Sequence, residues 1–224
     1  KEPTAMKLRT FTALLLAAIM LFALTACGSQ AADDSSSDQQ QEQQDTTTNE
    51  SNEFRVGMEC AYAPYNWTQS DDSNGAVAIR GSSDYAYGYD VMMAKKIGEA
   101  LGQKVQIVKL DWDSLIPAVM SGDVDCVIAG QSITAERAAQ GDFSEPYYYA
   151  SIVTLTKKDS AYAKAASVAD LAGATATSQL GTIWYDTCLP QIENANILPA
   201  QETAPAMLVA LSSGACDIVV TDHP

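Results

Sequence analysis

The residue best suited to binding chemistry in this sequence is Arg137, because it stands where a helix rarely places a cation. Thr134 is predicted to cap a short helix, and a capping box would have Glu or Gln three residues later. A cation in that first turn faces the positive end of the helix dipole, at a cost of about 0.3–1 kcal/mol. Arg137, the free amides of the helix end and the Ser132 hydroxyl could together bind a carboxylate in two-point contact. The alternative is a surface ion pair between Arg137 and Asp142 or Glu145.

A second candidate group is Asp222, which ends the later copy of an internal repeat. Residues 118–130 match residues 210–222 at a constant offset of 92, with Ala, Ser-Gly, Asp and Val in register. Each copy is predicted to contain a helix end, a Ser-Gly turn and a buried strand; the alternative is chance similarity of a common turn. A true repeat predicts two α/β lobes whose equivalent strands end at one cleft, where such sheets bind ligands. Residues 130–132 and 221–222 would line that cleft.

The elements that must position these groups alternate between strands and helices, which indicates an α/β fold. Hydrophobic spacing and turn residues define them. The predicted elements are a strand at 54–58, a helix at 89–101 ending at Gly102, a strand at 105–108, a helix at 114–121, a buried strand at 125–130 and a short helix at 135–140. The segment between Tyr62 and Tyr87 is rich in Asp, Ser, Asn and Gly and is predicted to be largely loop.

The composition of the 224-residue chain excludes several classes of protein. With 47% hydrophobic residues the chain can bury a core, so it is not disordered throughout. A formal net charge of −15 repels phosphate backbones and makes nucleic acid an unsuitable partner. Because His223 is the only histidine, the sequence predicts neither a histidine-activated nucleophile nor a multi-histidine metal site. We expect no metal and no cofactor.

The N-terminal segment is typical of an exported lipoprotein. We expect translation to start at Met6, so that residues 1–5 precede the natural start, and residues 1–26 to form a signal peptide with an apolar core of about 14 residues. The sequence LTAC that ends at Cys27 resembles a bacterial lipobox, in which this cysteine is lipidated; the alternative is an ordinary signal peptide with an incidental cysteine. Residues 27–53 are polar and are predicted to form a disordered tether.

Four further cysteines bear on the fold. Cys60 is expected at the end of its strand and Cys126 at the start of its own, which would keep the two far apart. An extracytoplasmic location permits disulfides without requiring them. A bond between Cys188 and Cys216 therefore stays open.

Eight short motifs carry a resemblance that covers the whole globular region, residues 54–224. They are AYAPYNW (61–67), GYDV (88–91), DWDSLIP (111–117), SG (121–122), SITAER (132–137), DFSEPY (142–147), GT (181–182) and VTD (220–222). In this order they resemble the extracellular solute-binding proteins of polar amino-acid ABC transporters, which have a type II periplasmic binding fold of two lobes. The resemblance implies a first lobe at 54–151 and a second at 152–224. Because family members continue further, the second lobe and the return crossover are expected to be incomplete.

The resemblance also implies how the protein would bind the α-carboxylate and the α-ammonium group of an amino-acid ligand. Arg137 would clamp the α-carboxylate, with help from Ser132 and Thr182. Asp222 and the carbonyl of Gly130 would receive the α-ammonium group. Closure of the two lobes would complete the site, and the ligand would stabilise the closed state. The alternative for Asp222 is a cap on the segment after its strand.

Three more residues are implied at the ligand side chain. Tyr62 and Trp112 would flank it, although large rings are also ordinary core residues. Glu59 would reach its end, or would instead pair with a nearby lysine. These residues indicate a polar, cationic or aromatic ligand side chain.

The resulting hypothesis is a monomeric receptor that binds a free L-amino acid and delivers it to an ABC permease. The lipid anchor would hold it at the outer face of the bacterial cytoplasmic membrane, in the periplasm where an outer membrane exists. No catalytic residue is predicted. One alternative is an extracytoplasmic dehydratase-like enzyme on the same fold, for which Glu59 is the sole candidate acid or base. The other is the ligand-sensing domain of a receptor.

Overall fold

The computed structural model describes residues 52–223. The signal peptide, Cys27 and nearly all of the tether lie outside the described residues. The strands are β1 (Glu53–Met58), β2 (Ala61–Tyr62), β3 (Asn66–Gln69), β4 (Val77–Ala78), β5 (Tyr85–Tyr87), β6 (Lys104–Lys109), β7 (Cys126–Val127), β8 (Ser151–Thr156), β9 (Thr175–Thr177), β10 (Asn196–Ile197) and β11 (Ile218–His223). The helices are α1 (Tyr89–Leu101), α2 (Leu115–Ser121), α3 (Ala135–Ala138) and α4 (Ala204–Ser213). Within this part of the chain, no helix combines the length and apolarity that a membrane span needs.

The first α/β sheet has the parallel order β6-β1-β7. Val56 of β1 lies between Ile107 of β6 and Cys126 of β7. The apolar side chains of this sheet pack against α1 and α2, and Val56, Ile107 and Leu115 are fully buried. Burial of each such side chain contributes roughly 1.5–3 kcal/mol. The edge of this sheet at β7 leads directly into the segment that carries Gly130.

The second sheet has the order β10-β9-β11-β8, in which only β8 runs antiparallel to its neighbour. Ile218 and Val220 of β11 pack with Leu189 and Trp184 in a separate buried cluster. The start of β11 pairs on both sides, whereas its carboxyl end pairs with β8 alone, which places Asp222 opposite Ile152. The two clusters confirm two α/β lobes.

The two copies of the internal repeat make equivalent hydrogen bonds in the two lobes. The Asp125 N–H donates to the carbonyl of Arg55 at 2.9 Å, and the Arg55 N–H donates to the Asp125 carboxylate at 2.7 Å. Asp217, 92 residues later, makes the same two bonds with Thr175, at 2.8 and 2.9 Å. Each aspartate thus joins the start of its strand to the neighbouring parallel strand. The two copies therefore share one local structure, as both a true repeat and a common turn would, and the choice between the two stays open.

The segment 62–87 differs from its prediction as a loop, because β2, β3, β5 and β4 form a small antiparallel sheet. Trp67 lies opposite Tyr87, and their rings meet edge to face with centroids 5.2 Å apart. Strands of two to four residues are too short to show a period of two in the sequence. Long-range pairing, rather than local pattern, defines this sheet.

Other predicted elements are close to their observed bounds. Helix α1 spans the predicted residues and ends at Gly102 in the left-handed conformation. Thr134 caps α3 through its hydroxyl as predicted, but the helix ends at Ala138 instead of residue 140. Of the strand predicted at 125–130, only Cys126–Val127 pairs with a neighbouring strand, as β7. The four cysteines between Cys60 and Cys216 are free thiols, so the bond left open between Cys188 and Cys216 is not formed.

Gly88, just before α1, is a position where alanine should not fit. Its φ is 131°, and an added Cβ would lie 2.2 Å from the carbonyl oxygen of Tyr65. We expect Gly88→Ala to lower the free energy of unfolding by about 2 kcal/mol or more, measured by urea denaturation. Gly102→Ala is the matched control, because φ is also positive there but the Cβ meets nothing within 4 Å. It should cost about 1 kcal/mol; equal losses in both variants would contradict the steric argument.

Candidate functional site

Arg137 reaches the interface of the two lobes from the segment after β7. Its Nη1 donates to the carbonyl of Ser132 at 2.8 Å, and its Nη2 donates across the cleft to the carbonyl of Gly181 at 3.0 Å. No carboxylate of residues 52–223 lies within ion-pair distance of the guanidinium, so the alternative of pairing with Asp142 or Glu145 is wrong. Burial lowers the pKa of Arg137. The site therefore contains a partly desolvated cation bonded only to neutral carbonyls.

Asp222 lies at the end of β11 on the opposite side of the same cleft. Its carboxylate accepts hydrogen bonds from Trp184 Nε1 at 3.0 Å and from the Tyr62 hydroxyl at 3.2 Å. Burial raises the pKa of this carboxyl, and the two hydrogen bonds offset part of that effect. Both donors are neutral, so Asp222 is an anion without a cation.

Glu59 follows β1 and is only 4% exposed. Its Oε1 accepts a hydrogen bond from Gln179 Nε2 at 2.9 Å. Burial raises its pKa. The nearby Lys109 donates to the Thr68 hydroxyl instead, so the predicted alternative of a lysine ion pair is not formed. Glu59 is therefore a second desolvated carboxylate with a neutral partner.

Two aromatic side chains of the first lobe close the site from its sides. Tyr62 stacks on Tyr65 at 4.9 Å and also packs against Trp184 of the second lobe, with centroids 5.8 Å apart. Trp112 Nε1 donates to the carbonyl of Gly181 at 3.0 Å, and the guanidinium carbon of Arg137 lies 5.5 Å from the Trp112 ring centroid. Both rings line the cavity in the cleft, and each also packs against a buried core cluster, Trp112 against that of the first lobe and Tyr62 against that of the second.

The remaining predicted residues supply backbone and hydroxyl groups. Gly130 has a φ of 61°, and its N–H donates to the Tyr147 hydroxyl at 3.0 Å. The Thr182 hydroxyl donates to the carbonyl of Gln179 at 2.7 Å and accepts from the Tyr185 N–H at 3.3 Å, so it stabilises its own turn.

All eight predicted ligand residues line one cavity of about 20 Å³ between the lobes. They are Glu59, Tyr62, Trp112, Gly130, Ser132, Arg137, Thr182 and Asp222. A volume of that size holds about one water molecule and no amino acid. The lobes must therefore separate before a ligand of this class can enter.

A larger groove of about 650 Å³ adjoins this cavity and shares Arg137 and Asp222 with it. Its other walls are mainly apolar and include Phe54, Val119 and Ile152. Both spaces contain this cation and this anion, but only the smaller cavity also has Glu59, Gln179 and Thr182 in its walls, so it is the better candidate site.

Sequence reasoning missed Gln179 and Trp184, which complete the walls of the cavity. Gln179 is 2% exposed and lies three residues before Thr182. Its position as a polar residue close to Gly181 was the sequence feature that could have identified it. Trp184 follows Thr182 by two residues. Among residues 52–223, no group of three or more His, Cys, Asp or Glu side chains is arranged to hold a metal ion.

Comparisons with known proteins agree with this geometry. Residues 54–211 match the family described as bacterial extracellular solute-binding proteins, family 3. The chain is 33% identical over 172 residues to the arginine-binding extracellular protein ArtP of Bacillus subtilis, covering 76% of this chain and 55% of ArtP. It is 30% identical over 205 residues to a probable histidine-binding protein of Neisseria gonorrhoeae, covering 89% of this chain and 66% of that protein.

Among solved structures, the ancestral amino acid-binding protein AncCDT-1, a precursor of cyclohexadienyl dehydratase, is similar to this chain with a TM-score of 0.65 and 34% identity. The match covers 76% of this chain and 70% of that one. The two-lobe type II periplasmic binding fold predicted from the sequence is thereby confirmed. The chain spans between about half and two thirds of the length of the two curated relatives.

Proposed function

This chain belongs to the bacterial extracellular solute-binding proteins of family 3, and from that premise we propose that it is a receptor for a free L-amino acid held between its two lobes. The observation that carries the proposal is the pair of Arg137 and Asp222. Among residues 52–223 the first has no carboxylate partner and the second has no cationic partner, and both face one cavity from opposite lobes.

An amino acid supplies the two charges that this pair lacks. Burying an ion away from water is costly unless an opposite charge and hydrogen bonds compensate it. The α-carboxylate accepts from Arg137, whose planar fork suits two-point contact. The α-ammonium group donates to Asp222 and to the carbonyl of Gly130. The carbonyls that Arg137 now contacts are weaker partners, so a carboxylate displaces them.

The side chain of the ligand is cationic, because Glu59 is a buried carboxylate that has no counter-ion among residues 52–223. Tyr62 and Trp112 form the walls beside it, and aromatic faces attract cations. The relative ArtP is named as arginine-binding, which supports the same class. A neutral polar side chain could donate a hydrogen bond to Glu59 but would not balance its charge, and a purely aromatic one would leave the carboxylate bonded only to Gln179.

The direct test is a thermal-shift and calorimetric panel of the twenty common L-amino acids on the full chain. We expect the melting temperature to rise with L-arginine and L-lysine, because a ligand that binds only the folded state stabilises it. D-arginine is the matched control and should have a much smaller effect. No shift with any amino acid would refute the proposed function.

Glu59→Gln should change the ligand preference. Removing the negative charge while keeping the shape should weaken L-arginine binding by about 30-fold and leave L-glutamine binding within about threefold. Titration calorimetry with both ligands measures the two effects. Glu99→Gln, an exposed position in α1, is the control and should change neither affinity. Equal losses for both ligands in Glu59→Gln would contradict its placement at the side chain.

Ligand affinity should fall as the pH is lowered. The raised pKa values of Asp222 and Glu59 mean that both carboxylates protonate at a higher pH than usual, and only their ionised forms attract a cationic ligand. Below each raised pKa, affinity should drop by about tenfold per pH unit and per group. Calorimetry at successively lower pH, starting from pH 8, should therefore show the affinity for L-arginine falling more steeply than that for L-glutamine, because Glu59 faces only a cationic side chain. A pH-independent affinity would contradict both assignments.

Transport completes the proposal. The protein is exported, Cys27 is lipidated, and the monomer delivers its ligand to an ABC permease at the outer face of the membrane. The lipobox-like sequence and the family description support this. Mass spectrometry of the N-terminal peptide from membranes tests the anchor; an unmodified cysteine would refute it.

An enzymatic function is the second candidate, because the similar protein AncCDT-1 is named as a precursor of a dehydratase. Glu59 and Asp222 both line the cavity, and burial raises the pKa of each carboxyl, which brings both closer to the range that proton transfer needs. AncCDT-1 itself is named as a binding protein, and the relatives reported above are also binding proteins. We expect no turnover of prephenate-like acids; measurable turnover would reverse this ranking.

A further inference from the structure

A buried hydrogen-bond network connects three separate segments around the candidate site. The Tyr147 hydroxyl donates to Asp90 Oδ1 at 2.8 Å and accepts from the Gly130 N–H at 3.0 Å. Asn66 Nδ2 donates to the other oxygen, Oδ2, of Asp90 at 2.7 Å, and Asn66 Oδ1 accepts from the Cys60 N–H at 2.7 Å. Every link is an ordinary hydrogen bond with a defined donor.

Asp90 is the centre of this network. It is fully buried in the first turn of α1, where the positive end of the helix dipole stabilises a negative charge. Its partners are neutral, and burial raises its pKa, with hydrogen bonds from Asn66 and Tyr147 acting against that effect. A buried carboxylate of this kind costs stability unless both oxygens keep their donors, so the donors are held in place around it.

The two ends of the network are backbone groups next to ligand residues. Cys60 follows Glu59 directly and has a φ of 55°, a left-handed conformation that non-glycine residues rarely adopt. Gly130 is also left-handed, at 61°. The Asn66 and Tyr147 side chains thus bond the amides of two unusual backbone turns. Tyr147 belongs to the segment that leads into β8 of the second lobe.

We infer that Asp90, through Tyr147 and Asn66, positions the Gly130 and Glu59 turns for the ligand, and that Tyr147 ties the Gly130 turn to the chain segment between the lobes. The inference rests on the proposed function, because it assigns these groups to the amino-acid site. Asp90, Asn66 and Tyr147 are positioning residues, since none of them lines the small cavity. Loss of one link leaves a buried donor unpaired, which is more costly than the bond itself.

Tyr147→Phe and Asp90→Asn in the full chain test the inference by two measurements. The first is the amide hydrogen-exchange rate of Gly130 in the ligand-free protein, read by NMR. We expect exchange to accelerate at least about tenfold in Tyr147→Phe, because the acceptor is removed. The second is ligand affinity. In Tyr147→Phe the affinities for L-arginine and L-glutamine should both fall by about tenfold, because the Gly130 turn contacts the main-chain groups that all amino acids share. In Asp90→Asn the affinity for L-arginine should fall further than that for L-glutamine, because the Glu59 turn loses its support as well.

Tyr149→Phe is the matched control. It also removes a tyrosine hydroxyl, two residues after Tyr147, but from a side chain that is 83% exposed. It should change neither measurement. The inference would be overturned if the exchange rate of the Gly130 amide were unchanged in both Tyr147→Phe and Asp90→Asn. It would also be overturned if exchange were faster but the ligand affinities stayed within twofold of the parent. A parent protein that binds neither ligand would instead refute the proposed function, while the exchange rates would still decide whether the network holds the Gly130 turn.

Discussion

Arg137→Ala should raise the dissociation constant for L-arginine by at least about 100-fold while the protein stays folded. The loss follows because the variant leaves the ligand carboxylate desolvated and without a cation, and breaking such a pair costs several kcal/mol. Folding should tolerate the change, since Arg137 pairs with no carboxylate of residues 52–223 and donates only to the carbonyls of Ser132 and Gly181. Titration calorimetry and circular dichroism measure the two quantities.

Two further variants separate charge from geometry at this position. Arg137→Lys keeps the charge but loses the two-point contact, so its affinity should lie between those of the parent and of Arg137→Ala. Arg80→Ala removes an exposed arginine that does not line the cavity, and should leave affinity unchanged. If Arg137→Ala bound L-arginine as tightly as Arg80→Ala does, the carboxylate clamp would be placed wrongly.

Asp222→Asn should weaken L-arginine binding by about 30-fold or more without destabilising the protein. The ammonium group of the ligand loses its anion, whereas the asparagine oxygen can still accept from Trp184 Nε1. The raised pKa of Asp222 means that the folded state favours its protonated form, so its ionisation reduces stability as the pH rises. The neutral variant should therefore lose less stability than the parent between pH 4, close to the ordinary pKa of 3.8, and pH 8.

Urea denaturation at the two pH values and calorimetry at pH 8 test both parts of this prediction. Asp159→Asn, an exposed position in the turn after β8, is the control and should change neither quantity. A large fall in stability at pH 8 in Asp222→Asn would show that the carboxylate is structural. Unchanged affinity would remove Asp222 from the ammonium site.

The parts of the fold that the sequence predicts well are those with a local cause. Helix α1 was predictable because its apolar residues have helical spacing and Gly102 supplies the left-handed residue at its end. The repeat was visible because helix, turn and strand recur in one contiguous stretch. Arg137 stood out because it departs from the local capping rule.

The parts that the sequence does not predict depend on partners far away in the chain. Gln179 matters because it donates to Glu59, 120 residues earlier. In the sequence Asp90 is one of the acidic residues that are common in the first turn of a helix; only the structure shows its contacts with Asn66 and Tyr147. No pattern in a single segment contains such pairings.

The small volume of the site cavity has a consequence for how the proposed amino acid would be captured. Arg137, Glu59 and Asp222 already bond the opposite lobe, so the ligand would have to displace these bonds. We expect the rate of capture to be limited by how often the lobes part, and to stop increasing once the ligand is abundant. The measured affinity is the intrinsic affinity multiplied by the fraction of molecules that are open. Weakening one of these contacts would therefore tighten binding, provided that the ligand does not need the altered group.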